Sequence, residues 1–337
     1  MSDRRTFTSS INMRFLCLFS FVFLLLSSSA FSYMLQPAIS PDGDQAAFCY
    51  QGDIWLVSSD GGRPYRLTVH EGYDSNPRWS SDGSRIAFQS DRYGNNDIFS
   101  MASEGGAPTR HTHHSATDVL TSYGSDGSLL FLSKRVYAQV EREYEIYRVD
   151  QEGGTPTRFM DALGFDPVVS PDGSKIAFVR GTCRIEREAY RGAANRDIWI
   201  FDTESEEYTQ ITDFDGNDFM PKWLNDSTLL FVSAREGKYN VFQTSLRGSA
   251  RQVTFEEEFG VNTFDLSRDA KRIVYQHGDQ VSLLKIGKKS SESLEVSLSA
   301  DFRFDPVTTE TMKDKASEFS VSPNGKLSAY SIRGDVF

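Results

Sequence analysis

Three histidines, His111, His113 and His114, stand within four residues of one another. Alternating histidines on a strand can share a face and hold a metal, but no cysteine or carboxylate accompanies them at a ligand spacing. A solvated loop is the expected reading. Ser282 and Lys285 fit the S-x-x-K spacing of some serine acyl enzymes. That spacing works on a helix; here the surroundings read as a strand, where positions i and i+3 point to opposite faces. The chain contains no G-x-S-x-G elbow, H-E-x-x-H pair or Walker loop. Its aspartate-rich turns lack the alternating ligand spacing of an EF-hand. No catalytic residue, cofactor or metal is therefore expected in this chain.

The residues better suited to recognition are Arg184, Arg187, Tyr190, Arg191, Gly192 and Arg196, which crowd the segment ahead of Asp197-Ile198-Trp199. They form a candidate docking loop; the plainer reading is a loop arginine laying its stem over an aromatic ring.

The elements that carry these residues follow from a repeat. Ser40-Pro41-Asp42-Gly43 returns as Ser80-Ser81-Asp82-Gly83, Gly124-Ser125-Asp126-Gly127 and Ser170-Pro171-Asp172-Gly173. Worn copies stand at Leu224–Ser227 and Ser267–Ala270, and Ser322-Pro323-Asn324-Gly325 is clean again. Successive copies lie 40, 44, 46, 54, 43 and 55 residues apart. A period of about 40–50 residues with strand-like contents predicts a β-propeller, one four-stranded blade per repeat.

After each turn comes an apolar triplet: Ala46-Ala47-Phe48, Ile86-Ala87-Phe88, Leu129-Leu130-Phe131, Ile176-Ala177-Phe178, Leu229-Leu230-Phe231 and Ile273-Val274-Tyr275. Neighbouring strand residues face opposite sides, so three apolar residues in a row require both faces buried. Blades stacked round an axis meet that requirement; a two-layer sandwich does not. Third strands open on a second landmark, as in Asp53-Ile54-Trp55, Asp97-Ile98-Phe99 and Asp197-Ile198-Trp199. In blade six that landmark has decayed to Gln280-Val281-Ser282.

The expectation is an all-β chain: a six-bladed β-propeller of four-stranded antiparallel blades over residues 33–299, a linker at 300–316, and the first strands of a second, truncated propeller at 317–337. Blades one and six each own four strands in sequence order, so the ring is expected to close by packing rather than by a shared strand. The short turns exit one face. The long insertions, Lys134–Glu143 and Arg180–Arg196, exit the other, which makes the long-loop face the expected docking face. It mixes Arg135 and the arginines above with Asp213, Asp215, Glu256, Glu257 and Glu258.

The N-terminus is a separate object. Arg4, Arg5 and Arg14 precede twelve uncharged residues, Phe15–Leu26, and then the small residues Ser27–Ser32. This is the pattern of a secretory signal over residues 1–32, cleaved before Tyr33, with an uncleaved anchor as the alternative. An apolar run this short falls below the ~20 residues of a comfortable membrane span. Export to the periplasm or outside the cell is the expected localisation. Of three cysteines, Cys17 lies in the signal; Cys49 and Cys183 fall in distant repeats and read as buried free thiols. A formal net charge of -11 argues against nucleic-acid binding, which needs a basic footprint.

The repeats resemble TolB-type, WD40-like blades: S-P-D-G, an apolar triplet, D-I-aromatic, G-G, and a terminal Leu67-Thr68, Ile211-Thr212 or Val253-Thr254. More closely, the chain resembles the N-terminal region of tricorn protease and its bacterial homologues. Leu35-Gln36-Pro37 opens the first blade. Tyr190-Arg191-Gly192 through Ile198-Trp199 looks like the family's Y-R-G-G…I-W segment, and Glu318-Phe319-Ser320 to Asp335 looks like the opening of its second propeller. The resemblance implies the non-catalytic propeller portion of an exported, tricorn-like serine protease that channels or docks peptides. Its implied partners are peptides or unfolded protein and the same chain's C-terminal protease and PDZ domains, with a homo-oligomer left open. Hydrolase activity is expected of the parent protein, whose catalytic residues have no counterpart here. The alternatives are a TolB-like envelope protein-binding propeller and the propeller of a prolyl-oligopeptidase-type peptidase.

Overall fold

The computed structural model describes residues 34–136, 144–298, 316–332 and 335–336. The expected signal at 1–32 and most of the expected linker lie outside the described residues. The chain divides into two units, Met1–Ser297 and Leu298–Phe337.

The first unit is a six-bladed β-propeller, each blade a four-stranded antiparallel sheet with its strands in sequence order. The blades begin with the inner strands Leu35–Ile39, Asp74–Trp79, Asp118–Tyr123, Phe165–Val169, Asp218–Asn225 and Val261–Leu266. In the second unit the described strands Ala316–Val321, Ser328–Ile332 and Asp335–Val336 form a three-stranded antiparallel sheet.

The recurring turn is held from within. Ser40 Oγ donates to Asp42 Oδ1 at 2.5 Å and accepts Gln45 N–H at 2.9 Å, while Asp42 Oδ1 accepts Asp44 N–H at 3.1 Å. Gly43 sits at φ 79°, a left-handed value that glycine adopts without a Cβ clash. The same bonds recur at Ser80–Asp82 and Ser170–Asp172, where they hold both carboxyls down at about 2. These carboxylates are consumed by their own turns.

Adjacent residues of the second strands enter different cores. Ile86 and Phe88 pack with Ala47, Cys49, Ile54 and Leu56 of blade one. Ala87, between them in sequence, packs with Leu120, Leu129 and Phe131 of blade three. Blade four repeats the division, with Ile176 and Phe178 in one cluster and Ala177 and Val179 in another. Both flanks of these strands are dry, as the triplets required.

Ring closure also follows the expectation. Leu35–Ile39 pairs with Gln45–Tyr50 inside blade one, and the sixth sheet is built from its own four strands. One rung was not foreseen. Gly62 N–H donates to Glu295 O at 2.8 Å and Ser297 N–H to Gly62 O at 2.9 Å, a parallel bridge between blades one and six. Arg272 of blade six reinforces it, donating from Nη1 to Gly43 O at 2.6 Å and to Ser59 Oγ at 2.9 Å.

The landmark aspartates hold the blade edge. Asp53 pairs with Arg66 and Asp97 with Arg110, each arginine lying on the outer strand of its own blade. The terminal threonines accept a third-strand amide: Ile54 to Thr68 Oγ1, Ile98 to Thr112 Oγ1 and Ile198 to Thr212 Oγ1, each at 2.9 Å. Blade four carries Gln210 where those arginines stand, and Asp197 has only Asn195 Nδ2 at 3.2 Å and Thr212 Oγ1 at 3.4 Å. Burial first, then the nearby Asp218 charge, raises the Asp197 carboxyl from 3.8 to about 6. A raised carboxyl means that the folded state binds a proton the unfolded chain releases, so stability falls as pH rises from near 3.8 through about 6. Asp197→Asn is expected to stabilise the fold by about 1 kcal/mol above pH 6, after allowing for solvent screening, and to be neutral below pH 4. Thermal melts of both proteins across that range check it; a gain that persists at low pH refutes it.

Candidate functional site

The hub of the propeller is built by an irregularity in the inner strands. Gln36, Asn76, Asp166 and Met220 have φ values of 54°, 55°, 50° and 52°, and each precedes a proline. Left-handed backbone is uncommon for non-glycine residues, and proline brings no amide to a ladder. The pairing register slips at all four places. The amides freed by these bulges are handed to the preceding blade. Asn76 N–H donates to Gln36 Oε1 at 2.8 Å, Met220 N–H to Asp166 Oδ2 at 3.2 Å, and Gln36 N–H to Gln276 Oε1 at 3.2 Å. Blade three lacks the proline, yet Leu120 N–H reaches Gln89 Oε1 at 3.1 Å in the same sense.

Two further links complete the circuit: Ser122 Oγ donates to Pro167 O at 3.0 Å, and Lys222 Nζ pairs with Asp265 Oδ1 at 2.8 Å. Every pair of neighbouring blades is thus tied at the axis. These amides and carboxylates leave two spaces, of about 280 and 260 Å³, each lined by all six blades and sharing Arg78, Val168 and Lys222. The larger lies toward the short-turn end, against Ser80, Gly124 and Pro171. The smaller lies deeper, against the bulge residues.

Four charges meet there: Arg78, Asp166, Lys222 and Asp265. Lys222 and Asp265 neutralise one another, and Asp265 Oδ2 also accepts Ile39 N–H at 3.2 Å. Burial raises the Asp166 carboxyl, opposed by the Arg196, Lys222 and Arg78 cations. Arg78 differs in kind: its Nε donates to Thr121 O at 2.9 Å and its Nη1 to Pro77 O at 2.8 Å, both carbonyls. A polar axial space of this sort can hold an extended polar ligand. Sequence reasoning missed it, although Gln36-Pro37, Asn76-Pro77, Asp166-Pro167 and Met220-Pro221 were a legible sign of bulged inner strands.

The expected docking residues sit away from the axis, and most of them hold their own loop. Arg191 lies over Phe214 at 4.7 Å and donates to Tyr190 O at 2.8 Å and Ala234 O at 3.0 Å, tying the insertion to blade five. Arg196 lies over Phe165 at 4.1 Å and donates to Cys183 O at 2.7 Å. Arg187 stacks on Tyr190 at 4.9 Å, and Gly192 N–H donates to Asp215 O at 2.8 Å. Arg184 is exposed.

His111 is buried with Nε2 2.8 Å from Ser100 Oγ, while His113 and His114 are exposed, so the three do not converge. Burial, with Arg85 and His113 nearby, lowers His111 to about 4. Cys49 and Cys183 are buried free thiols, and burial raises Cys49 to about 11. Ser282 and Lys285 stand on one strand, the serine buried and the lysine exposed.

A hydrogen-bonded chain that the sequence did not announce runs through Ser282: its Oγ lies 3.0 Å from His277 Nε2, and His277 Nδ1 lies 3.3 Å from Glu256 Oε2. The resemblance to a catalytic triad stops there. Ser282 is 4% exposed and paired on both sides, with Tyr275 and Ser293, so no acyl group can reach its oxygen.

The family model described as the tricorn protease N-terminal beta propeller domain matches residues 31–290. The tricorn protease homolog of Saccharolobus solfataricus is 24% identical over 314 residues, which is 91% of this chain and 28% of that protein. Tricorn protease homolog 1 of Streptomyces coelicolor is 27% identical over 238 residues, 70% of this chain and 22% of that protein. Among solved structures, the crystal structure of the tricorn protease superposes with a TM-score of 0.69 at 20% identity, covering 91% of this chain and 30% of that one. This chain therefore spans less than a third of the length of these relatives.

Proposed function

The chain belongs to the family of the tricorn protease N-terminal beta propeller domain, and from that membership we propose its role: the non-catalytic propeller portion of an exported, tricorn-like serine protease, whose hub holds or passes peptides on their way to or from a catalytic region supplied by the rest of the parent protein. The observation that carries this reading is the axial space to which all six blades contribute polar backbone and side chains. An extended peptide carries amide donors and acceptors along its length, and a tapering polar hub can satisfy them in turn. The closed Ser282–His277–Glu256 chain supports a part that handles peptides without cleaving them. Arg184 and Arg187 on the blade-four insertion stand as docking contacts for peptide or for the protease and PDZ domains. The sheet from Ala316 onward is proposed as the first blade of a second propeller.

This chain alone is expected to turn over no peptide, and to restore turnover when joined to the remainder of its reading frame. Hydrolysis by the chain alone, abolished by a serine-directed inhibitor, overturns the proposal. Exported material is expected to begin at or near Tyr33; an intact N-terminus on secreted protein removes the export part.

A further inference from the structure

We propose that Arg78 is the carboxylate-capturing residue of the hub and that it takes the free C-terminal carboxylate of a peptide. The inference rests on the peptide-handling reading above and assigns it a specificity-determining residue.

Arg78 lines both axial spaces, near the junction between them. Of the four charges there, Lys222 is spent on Asp265, and Asp265 on Lys222 and the Ile39 amide. Asp166 accepts the Met220 amide. Arg78 donates to two carbonyls, and among the described residues no carboxylate forms an ion pair with it. A guanidinium has five donors, so most of its fork is left for the space it faces.

That fork matches a carboxylate in two parallel bonds, which a lysine cannot provide. Burial lowers the Arg78 pKa, and Asp265 and Asp166 counter this only through space. An arriving carboxylate supplies the missing contact. The Thr121 and Pro77 carbonyls fix the guanidinium from the side, so little freedom is lost on binding. In a chain of net charge -11, a single unpaired cation deep in the hub is also what draws an anionic end inward.

The test is calorimetric titration of the full chain with three probes: an acetylated alanine tripeptide with a free C-terminus, its C-terminal amide, and an acetylated Ala-Asp-Ala amide. The free acid is expected to bind about 10- to 100-fold more tightly than the plain amide. Arg78→Met abolishes that preference and Arg78→Lys retains part of it, both with unchanged thermal melts. Equal binding of acid and amide, or a preference that survives Arg78→Met, overturns the assignment while leaving a peptide-holding hub intact. An aspartyl amide that binds as well as the free acid overturns the C-terminal assignment. Absence of binding by any probe brings down the assignment and the peptide-handling reading together.

Discussion

Ala87→Asp and Phe88→Asp are each expected to prevent stable folding, although the two residues are adjacent and their side chains point to opposite faces. Phe88 packs against Ile54 and Leu56 of blade one, and Ala87 against Leu120 and Phe131 of blade three; both are 0% exposed. A carboxylate at either place loses its water and gains no partner, a cost of several kcal/mol against a typical stability of about 5–15 kcal/mol. Phe88→Ala, which only opens a cavity, is expected to cost about 3–5 kcal/mol. Guanidinium unfolding of the three variants checks this. A sheet covered on one face would tolerate one of the two aspartates. If Ala87→Asp unfolds at nearly the wild-type denaturant concentration, the stacking of blades is refuted.

The second large effect is expected at Arg92. Its Nη2 contacts both oxygens of Asp74, at 2.8 and 2.9 Å, and its Nε donates to Ser90 Oγ at 2.8 Å. The guanidinium also lies 4.7 Å from the Phe99 ring centre. Asp74 is fully buried. Arg92→Ala leaves a buried carboxylate without its cation and an aromatic face without its cover, and should cost about 3–5 kcal/mol. Asp74→Asn in the same chain should recover a large part, because an amide is cheaper to bury than an unpaired charge. The exposed pair Lys271–Asp269, at 2.9 Å, serves as control and should contribute less than about 1 kcal/mol. Equal losses at the two pairs, measured by urea unfolding, would falsify the claim that burial decides their worth.

Much of this architecture could be read in advance from particular residues. The Asp-Gly turns announced the period, and Ile86-Ala87-Phe88 announced sheets buried on both sides. The Arg92 arrangement shows why reading stopped short. Asp74–Arg92, Asp118–Arg135 and Asp218–Arg235 are one device used in three blades, with partners 18, 17 and 17 residues apart. Each aspartate opens an inner strand and each arginine follows the second strand of the same blade, so the spacing was visible. That the pair is buried, and stacked on a third-strand aromatic, depends on the neighbouring blade.

The candidate site was less legible still. Tyr190, Arg191 and Gly192 drew notice because charges in a long insertion suggest a binding loop, yet Arg191 is spent on Ala234 of blade five and on Phe214. The hub residues Gln36, Asn76, Arg78, Asp166 and Lys222 stand some tens of residues apart and share no local motif. Their side chains meet only because inner strands converge on an axis.

The sequence by itself determined the class of fold, the number of blades and the absence of a shared closing strand, since local periodicity and turn chemistry are written residue by residue. Tertiary structure alone decided which charges face one another across the hub, which arginines are already engaged, and that one Gly62–Val296 rung joins the first blade to the last. Those facts depend on distances between segments far apart in the chain, and such distances exist only once the ring has closed.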